Sequence, residues 1–306
     1  MKLRIHGVGI LCAAFALAAL TSLAQSAPPA KKLKVYISVD MEGVAGVVTG
    51  DQLGPQGFEY ARFREFMTKE ALAAVNAAKE AGATEILVSD SHGNGENLLI
   101  EQFPPDVRII RSWPRRLSMM AGIDDTFDAA LFIGYHSSTD NPRGVRAHTF
   151  SSGTLTHVAL NGTAVTEGAW NAAIAGHFGV PVIFVAGDEA AVAEVKSLVG
   201  PLESVETKRS LGFHSADTLT PQAACDQIAR KVKATLSRLK DFKPYRVSTP
   251  VTVDIGFKQY LQTEVAAYLP FVERTGSHSV RFRARDMTEA SSIMSFLNTY
   301  EPGLAP

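Results

Sequence analysis

Asp40 and Glu42 stand two residues apart in the run Ser38-Val-Asp-Met-Glu-Gly43. On an extended segment that spacing sends both carboxylates off one face, where they repel unless a proton or a cation lies between them. Three more residues of suitable type occupy comparable places. His92 lies in Ser89-Asp-Ser-His-Gly93, His136 in Gly134-Tyr-His-Ser137, and Glu167 heads the segment Glu167-Gly-Ala-Trp170. Three carboxylates and two imidazoles make a donor set suited to zinc, and less specifically to manganese or cobalt. Five donors exceed what one tetrahedral catalytic zinc needs if it also holds a water, so a pair of ions bridged by a carboxylate uses them better. Asp40, at a strand tip between the other groups, is the natural bridge. Asp90 is expected to orient an imidazole. His148, in the polar connection from Thr139 to Thr149, is expected to move a proton or donate to a developing oxyanion; the competing reading is a strand residue facing solvent.

These residues matter as a group because of the elements that carry them. Val35–Val39, Glu85–Ser89, Val107–Ile110, Ala129–Gly134 and Val182–Ala186 are short apolar runs that read as strands. Between the first two, Phe63, Met67, Ala71, Ala74 and Ala78 recur at steps of three and four, which predicts a helix over residues 58–81 stopped by Gly82. Glu167 to His177 reads as another helix, with its first-turn carboxylate favoured by the helix dipole, and Asp188 as the cap of a third. Strands alternating with helices predict a mainly parallel sheet with helices on both faces, with its sites at the C-terminal strand ends. Asp40, Glu42, His92, His136 and Glu167 all fall at such ends. From Glu203 onward the pattern changes to a smaller α+β domain: a helix capped by Thr220-Pro221 and running to about Leu239, strands at 251–257 and 279–285, and a last helix opened by Asp286-Met-Thr-Glu289. The expected organisation is therefore a signal peptide at 1–24, a linker at 25–33, a metal-site domain at 34–202 and a C-terminal domain at 203–306.

The signal reading rests on Lys2 and Arg4, the uncharged stretch from Ile5 to Ala30, the apolar run Ile10–Leu20 and the small residues Ser22-Leu-Ala24. Cleavage is expected after Ala24, with Ser26 as the alternative. Removing Lys2 and Arg4 from the 30 basic residues leaves 28 against 31 acidic ones, a net charge of −3. It also removes Cys12 and leaves Cys225 alone, so no intramolecular disulfide can form. With 46% hydrophobic and 20% charged residues the chain is no disordered polymer, and its lack of basic excess argues against nucleic acid as a partner. A periplasmic or secreted protein is expected, free of the membrane once the signal is removed.

The runs Ser38–Gly43, Ser89–Gly93, Gly134–Ser137, Ala147-His-Thr149 and Asn161-Gly162 up to Glu167-Gly168 resemble, in this order, the zinc-dependent D-aminopeptidase family, whose S-x-D-x-E-G signature the first run matches. The resemblance spans most of the mature chain. It implies two zinc ions per subunit, with Asp40 bridging, Glu42, His92, His136 and Glu167 completing the shell, and His148 as the catalytic histidine. It also implies release of N-terminal D-residues, notably D-alanine, from short peptides, and a decamer of two stacked five-membered rings whose sites face an inner chamber. The family member compared is cytoplasmic. The export signal of this chain instead points to cell-wall-derived D-amino-acid peptides.

The chemistry expected of such a centre is peptide hydrolysis by metal-activated water. Two rivals stand beside it. A two-metal phosphoesterase would add cationic clamps, and Arg143 and Arg146 are available for that. A periplasmic binding protein would also carry a signal and α/β lobes, but it has no need of five metal-ligating residues at one sheet edge.

Overall fold

The structure, a computed structural model, describes Met1 and residues 32–300. Apart from Met1, the expected signal peptide and the linker as far as residue 31 lie outside the described residues. The main sheet has seven strands in the order β3-β2-β1-β4-β7-β8-β9. They are β1 (Leu33–Val39), β2 (Ala83–Asp90), β3 (Val107–Ile110), β4 (Ala129–Tyr135), β7 (Val182–Asp188), β8 (Glu203–Gly212) and β9 (Ser215–Thr218). All neighbouring pairs run parallel except β8 with β9. A second, antiparallel sheet has the order β11-β12-β10-β5-β6, from β5 (Leu155–Leu160), β6 (Thr163–Ala164), β10 (Val251–Phe257), β11 (Val272–Arg274) and β12 (Ser279–Ala284).

The alternation along β1 sets the layers. Val35, Ile37 and Val39 face a core shared with α1 (Tyr60–Glu80) and α4 (Pro221–Leu236), through Phe63, Met67, Ala71, Ile228 and Val232. Tyr36 faces the opposite core with Phe132 of β4, Trp170 of α2 (Glu167–His177) and Val195 of α3 (Glu189–Val199). That core also holds Val253 and Phe282 of the second sheet and Met294 of α6 (Met287–Thr299). A strand buried on both faces is what helices on both sides of a parallel sheet require. Burying a side chain such as Met67 contributes about 1.5–3 kcal/mol. Asp40 continues β1 on the Tyr36 face, so the strand that anchors the core also aims the first carboxylate.

The helix boundaries follow the expected chemistry. Asp188 accepts from the Ala191 N–H at 2.7 Å, and Thr220 accepts from the Ala223 N–H with Pro221 in the first turn. Asp286 accepts from the N–H groups of Thr288 and Glu289, while Glu289 reaches back to the Arg285 N–H instead of that of Asp286. The α4 helix stops at Leu236, and a short turn of 3₁₀ helix at Leu239–Asp241 follows.

Four elements past residue 203 were not expected. These are β8, β9, the short helix α5 (Tyr260–Ala266) and β11. β8 and β9 extend the main sheet, whereas β5 and β6, earlier in the chain, pair into the second sheet with β10. Both sheets therefore draw strands from either side of residue 203. No helix among the described residues is long and apolar enough to cross a membrane.

Candidate metal centre

The centre lies past the C-terminal ends of β1, β2 and β4. The Asp40 N–H donates to the Ile133 carbonyl at 2.8 Å, and the Gly43 N–H donates to that of Gly134 at 2.7 Å. These two bonds clamp the tip of β1 against the tip of β4. The clamp depends on glycine. A Cβ on Gly43 would fall 2.0 Å from the Tyr135 carbonyl oxygen, and one on Gly134, where φ is +74°, would fall 2.1 Å from that of Asp40. On the other side the Ser91 N–H donates to the Val39 carbonyl at 2.8 Å and delivers His92. Glu167 sits in the first turn of α2, which Thr166 caps through the Ala169 N–H at 2.9 Å.

All five expected ligands meet there, and none is more than 6% exposed. His92 Nδ1 lies 3.3 Å from Asp40 Oδ1 and 2.8 Å from Glu42 Oε2. His136 Nε2 lies 3.3 Å from Asp40 Oδ2 and 3.5 Å from Glu167 Oε2. Asp40 thus presents one oxygen to each imidazole. His148 is largely buried in the same cluster, its ring stacked on that of His136 at 4.0 Å between centroids. Its Nε2 lies 3.9 Å from Glu42 and 3.8 Å from Glu167.

The rings are held from behind. His92 Nε2 meets the Leu53 carbonyl at 2.7 Å, His136 Nδ1 that of Ser137 at 3.0 Å, and His148 Nδ1 that of Arg146 at 2.8 Å. A carbonyl only accepts, so each of these nitrogens carries the hydrogen and the other nitrogen faces the cluster. Asp40 Oδ2, Glu42 Oε2 and His136 Nε2 are buried and lack a well-aligned hydrogen bond despite the short ion-pair distances. Buried polar atoms left in this way are costly, and three of them converging among carboxylates and imidazoles fit a cation. Two overlapping sets, Asp40 with Glu42 and His136, and His136 with His148 and Glu167, each bring one ligand atom per residue within 4.8 Å of the others.

The electrostatics agree. Burial and then the neighbouring Glu42 push the Asp40 carboxyl above its ordinary range. Burial would also raise Glu42, but the charge on His92 overrides it and holds Glu42 well below the usual carboxylate range. Burial opposes charge on His92 and His136, yet the facing carboxylates hold both well above the imidazole range. His148 moves the other way, pushed down by burial and by the charge on His136.

Asp90 does not touch an imidazole. The chain leaves β2 at that residue and curls back through Gly93 and Gly95, both at positive φ. The Asp90 carboxylate therefore receives the N–H groups of Asn97 and Leu98 at 2.6 and 2.7 Å and the Asn97 side chain at 2.8 Å. Its support of His92 runs through Asn97, which also donates to the His92 carbonyl. Neither candidate cationic clamp is seen at the cluster. The Arg146 guanidinium lies 5.2 Å over the Phe213 ring, and no ion pair of Arg143 with the cluster occurs among the described residues.

Three supporting residues escaped the sequence reading. Lys208 of β8 is buried and donates to the carbonyls of Glu42, Val44 (2.9 Å) and Val47 (2.7 Å), which fixes the loop bearing Glu42. Burial pushes its ammonium down to about 8. Glu70 accepts from the Ala45 N–H in the same loop at 2.9 Å, and burial pushes its carboxyl up to about 7. Asp188 accepts from the Val145 N–H at 2.8 Å as well as capping α3, which steadies the segment leading to His148. Only Asp188 carried a local signal, and that signal was for the cap alone.

Comparison with known proteins agrees with the geometry. The model of peptidase family M55, the D-aminopeptidases, matches residues 33–296. The chain is 35% identical over 263 residues to a D-aminopeptidase of Bacillus subtilis, covering 86% of this chain and 95% of that one. A solved structure described as the zinc-dependent D-aminopeptidase DppA from Bacillus subtilis, a self-compartmentalizing protease, superposes with a TM-score of 0.83 at 34% identity, over 87% of this chain and 96% of its own. With a matching family model over most of its length and a metal-ligand cluster at the expected sheet edge, this chain belongs to the D-aminopeptidase family of peptidases.

Proposed function

We propose that the protein is a zinc aminopeptidase that removes N-terminal D-residues, D-alanine foremost, from short peptides. The observation that carries this reading is the buried meeting of Asp40, Glu42, His92, His136 and Glu167, with three ligand atoms that lack a well-aligned hydrogen bond. These residues would hold two zinc ions, shared through Asp40. Bound zinc supplies Lewis acidity that lowers the pKa of a water and polarises a carbonyl oxygen.

The chain's own residues supply the proton handling. His148 keeps its hydrogen on Nδ1, donated to Arg146, and its lowered pKa leaves Nε2 free to accept a proton at neutral pH. From its place beside Glu42 and Glu167, that nitrogen would take the proton of the attacking water and return it to the departing amine. Stacking on His136 fixes the ring for the transfer. A phosphoesterase reading lacks its clamp, because the Arg146 guanidinium is engaged by Phe213. We read residues 1–24 as an export signal, which puts the enzyme in the periplasm or outside the cell among peptides of wall origin. We also infer a homodecamer, in keeping with the self-compartmentalizing relative.

The test pairs metal content with D-alanine release from D-Ala-D-Ala, before and after chelation. About two zinc ions per subunit and chelator-sensitive release are expected. The His148→Ala variant should keep its zinc and lose roughly 10²–10⁴ in turnover. Bound zinc without release from any D-peptide would discard the substrate, and near-normal turnover of His148→Ala would discard the role of that histidine.

A further inference from the structure

Six non-glycine positions among the described residues have positive φ, and two of them flank His148: Arg146 at +56° and Phe150 at +61°. The left-handed region is uncommon for residues with a large side chain, and strain of this kind collects at functional sites. The two positions are held differently. The Phe150 N–H donates to Glu167 Oε1 at 2.6 Å, and its ring meets that of Trp170 edge-on at 5.3 Å. Arg146 leans on a more distant element. Its N–H donates to the Phe213 carbonyl at 3.1 Å, and its guanidinium lies 5.2 Å over the Phe213 ring.

Phe213 and His214 form the tip of the hairpin between β8 and β9. That hairpin is fastened to the loop bearing Glu42. Beside the bonds made by Lys208, the Gly46 N–H donates to Thr218 Oγ1 at 2.8 Å, and His214 Nδ1 meets the Val48 carbonyl at 3.2 Å. One hairpin therefore grips the Glu42 loop on one side and Arg146 on the other.

The conformation of Arg146 matters because its carbonyl accepts from His148 Nδ1, at 2.8 Å. That bond keeps the hydrogen on Nδ1 and turns Nε2 toward Glu42 and Glu167. The Arg146 N–H is fixed on Phe213. A φ in the ordinary right-handed region instead of +56° would then swing the carbonyl round by roughly 120° and take it away from the imidazole.

We propose that Phe213 and Arg146 are positioning residues for His148: the aromatic ring of the hairpin holds Arg146 left-handed, and the Arg146 carbonyl thereby sets the tautomer and direction of the histidine. The proposal rests on the aminopeptidase reading, in which His148 carries the proton, and deepens it. The left-handed well costs a residue with a Cβ roughly tenfold in population and costs glycine almost nothing. That difference sets the size of the effect and separates it from any role of the guanidinium itself.

The test compares Arg146→Ala with Arg146→Gly. Both lack the contact with Phe213, but only alanine keeps the backbone penalty. On D-Ala-D-Ala, kcat should fall about tenfold in Arg146→Ala and stay within about threefold of wild type in Arg146→Gly. KM and zinc content should be unchanged in both. Equal falls in the two variants, a fall in neither, or a loss carried by KM would each overturn the proposal, the last by making Arg146 a substrate contact. Should Arg146→Ala fail to fold, substitutions at the partly exposed Phe213 give the same test. Phe213→Leu should lower kcat about tenfold, Phe213→Trp, which keeps a ring face for the cation, should not, and Phe213→Leu combined with Arg146→Gly should recover to within about threefold. A combined variant as slow as Phe213→Leu would make Phe213 a packing residue of the hairpin and refute the coupling. A second readout does not depend on turnover. In solid-state ¹⁵N spectra of histidine-labelled, zinc-loaded protein, with the His148 signals assigned by their loss in His148→Ala, wild type and Arg146→Gly should show the Nδ1–H tautomer alone and Arg146→Ala a mixture. The same tautomer in all three overturns the proposal. If the wild-type enzyme releases D-alanine from no D-peptide, the aminopeptidase reading fails, and these spectra still decide whether Arg146 sets the state of His148.

Discussion

Loading the metal-free protein with zinc should release about two protons per subunit at pH 7. The number comes from the cluster geometry. His92 holds Nδ1 between Asp40 and Glu42, and His136 holds Nε2 between Asp40 and Glu167. Those carboxylates outweigh burial and keep both imidazoles well above their ordinary range. Each therefore carries a proton at neutral pH on the nitrogen that faces the site. His148, pushed down instead, has none to give up. An imidazole must be neutral to bind metal, so one proton leaves His92 and one leaves His136. Each released proton makes the overall binding constant fall about tenfold per unit of acidification. Two make it fall roughly 100-fold, or about 2.7 kcal/mol per pH unit below neutral. Zinc-derived stability therefore fades as pH falls.

Isothermal titration calorimetry of zinc into chelated protein, in two buffers of different protonation enthalpy, counts these protons directly. The count should fall to about one in His92→Ala and stay near two in His148→Ala. A wild-type count near zero would mean that both imidazoles are already neutral without metal. The carboxylates would then not govern the cluster, and the assignment of charge given above would be wrong.

Two further outcomes concern the loop that carries Glu42. Glu70, raised to about 7 from 4.5, binds its proton more tightly folded than unfolded, so wild-type stability should decline by about 3 kcal/mol as pH rises from 4.5 through 7; Glu70→Gln should remove that slope in urea denaturation, and parallel curves would refute it. Lys208→Met strips a donor from three carbonyls at ~1–3 kcal/mol each, offset by about 3 kcal/mol from releasing a cation held near 8 instead of 10.5. The net expectation is a loss of roughly 3 kcal/mol in urea denaturation. Zinc affinity, read by competition with a chromophoric chelator, should weaken 10–100-fold; lower stability with unchanged affinity would confine Lys208 to packing.

What the sequence made legible, and what it hid, divides along a physical line. The spacing of Asp40 and Glu42 could be read because an extended strand leaves no choice about which face they share, and the apolar run before them marked the strand. The α1 helix could be read because Phe63, Met67 and Ala71 repeat with the period of the surface they bury. Lys208 follows no such period. Lys208 answers carbonyls at residues 42–47, more than 160 positions earlier, and it lies in a strand whose neighbours Thr207 and Glu206 give no apolar rhythm. Asp90 marks the boundary between the two cases. Its residue type and position suggested a carboxylate that orients an imidazole, but its partners depended on where β2 ends. Once the chain turns at Gly93 and Gly95, the backbone N–H groups of Asn97 and Leu98 reach the carboxylate before any imidazole can. A local pattern thus reveals side chains that face a core or an ion. Side chains that satisfy distant backbone groups become visible only when the fold has brought those groups to them.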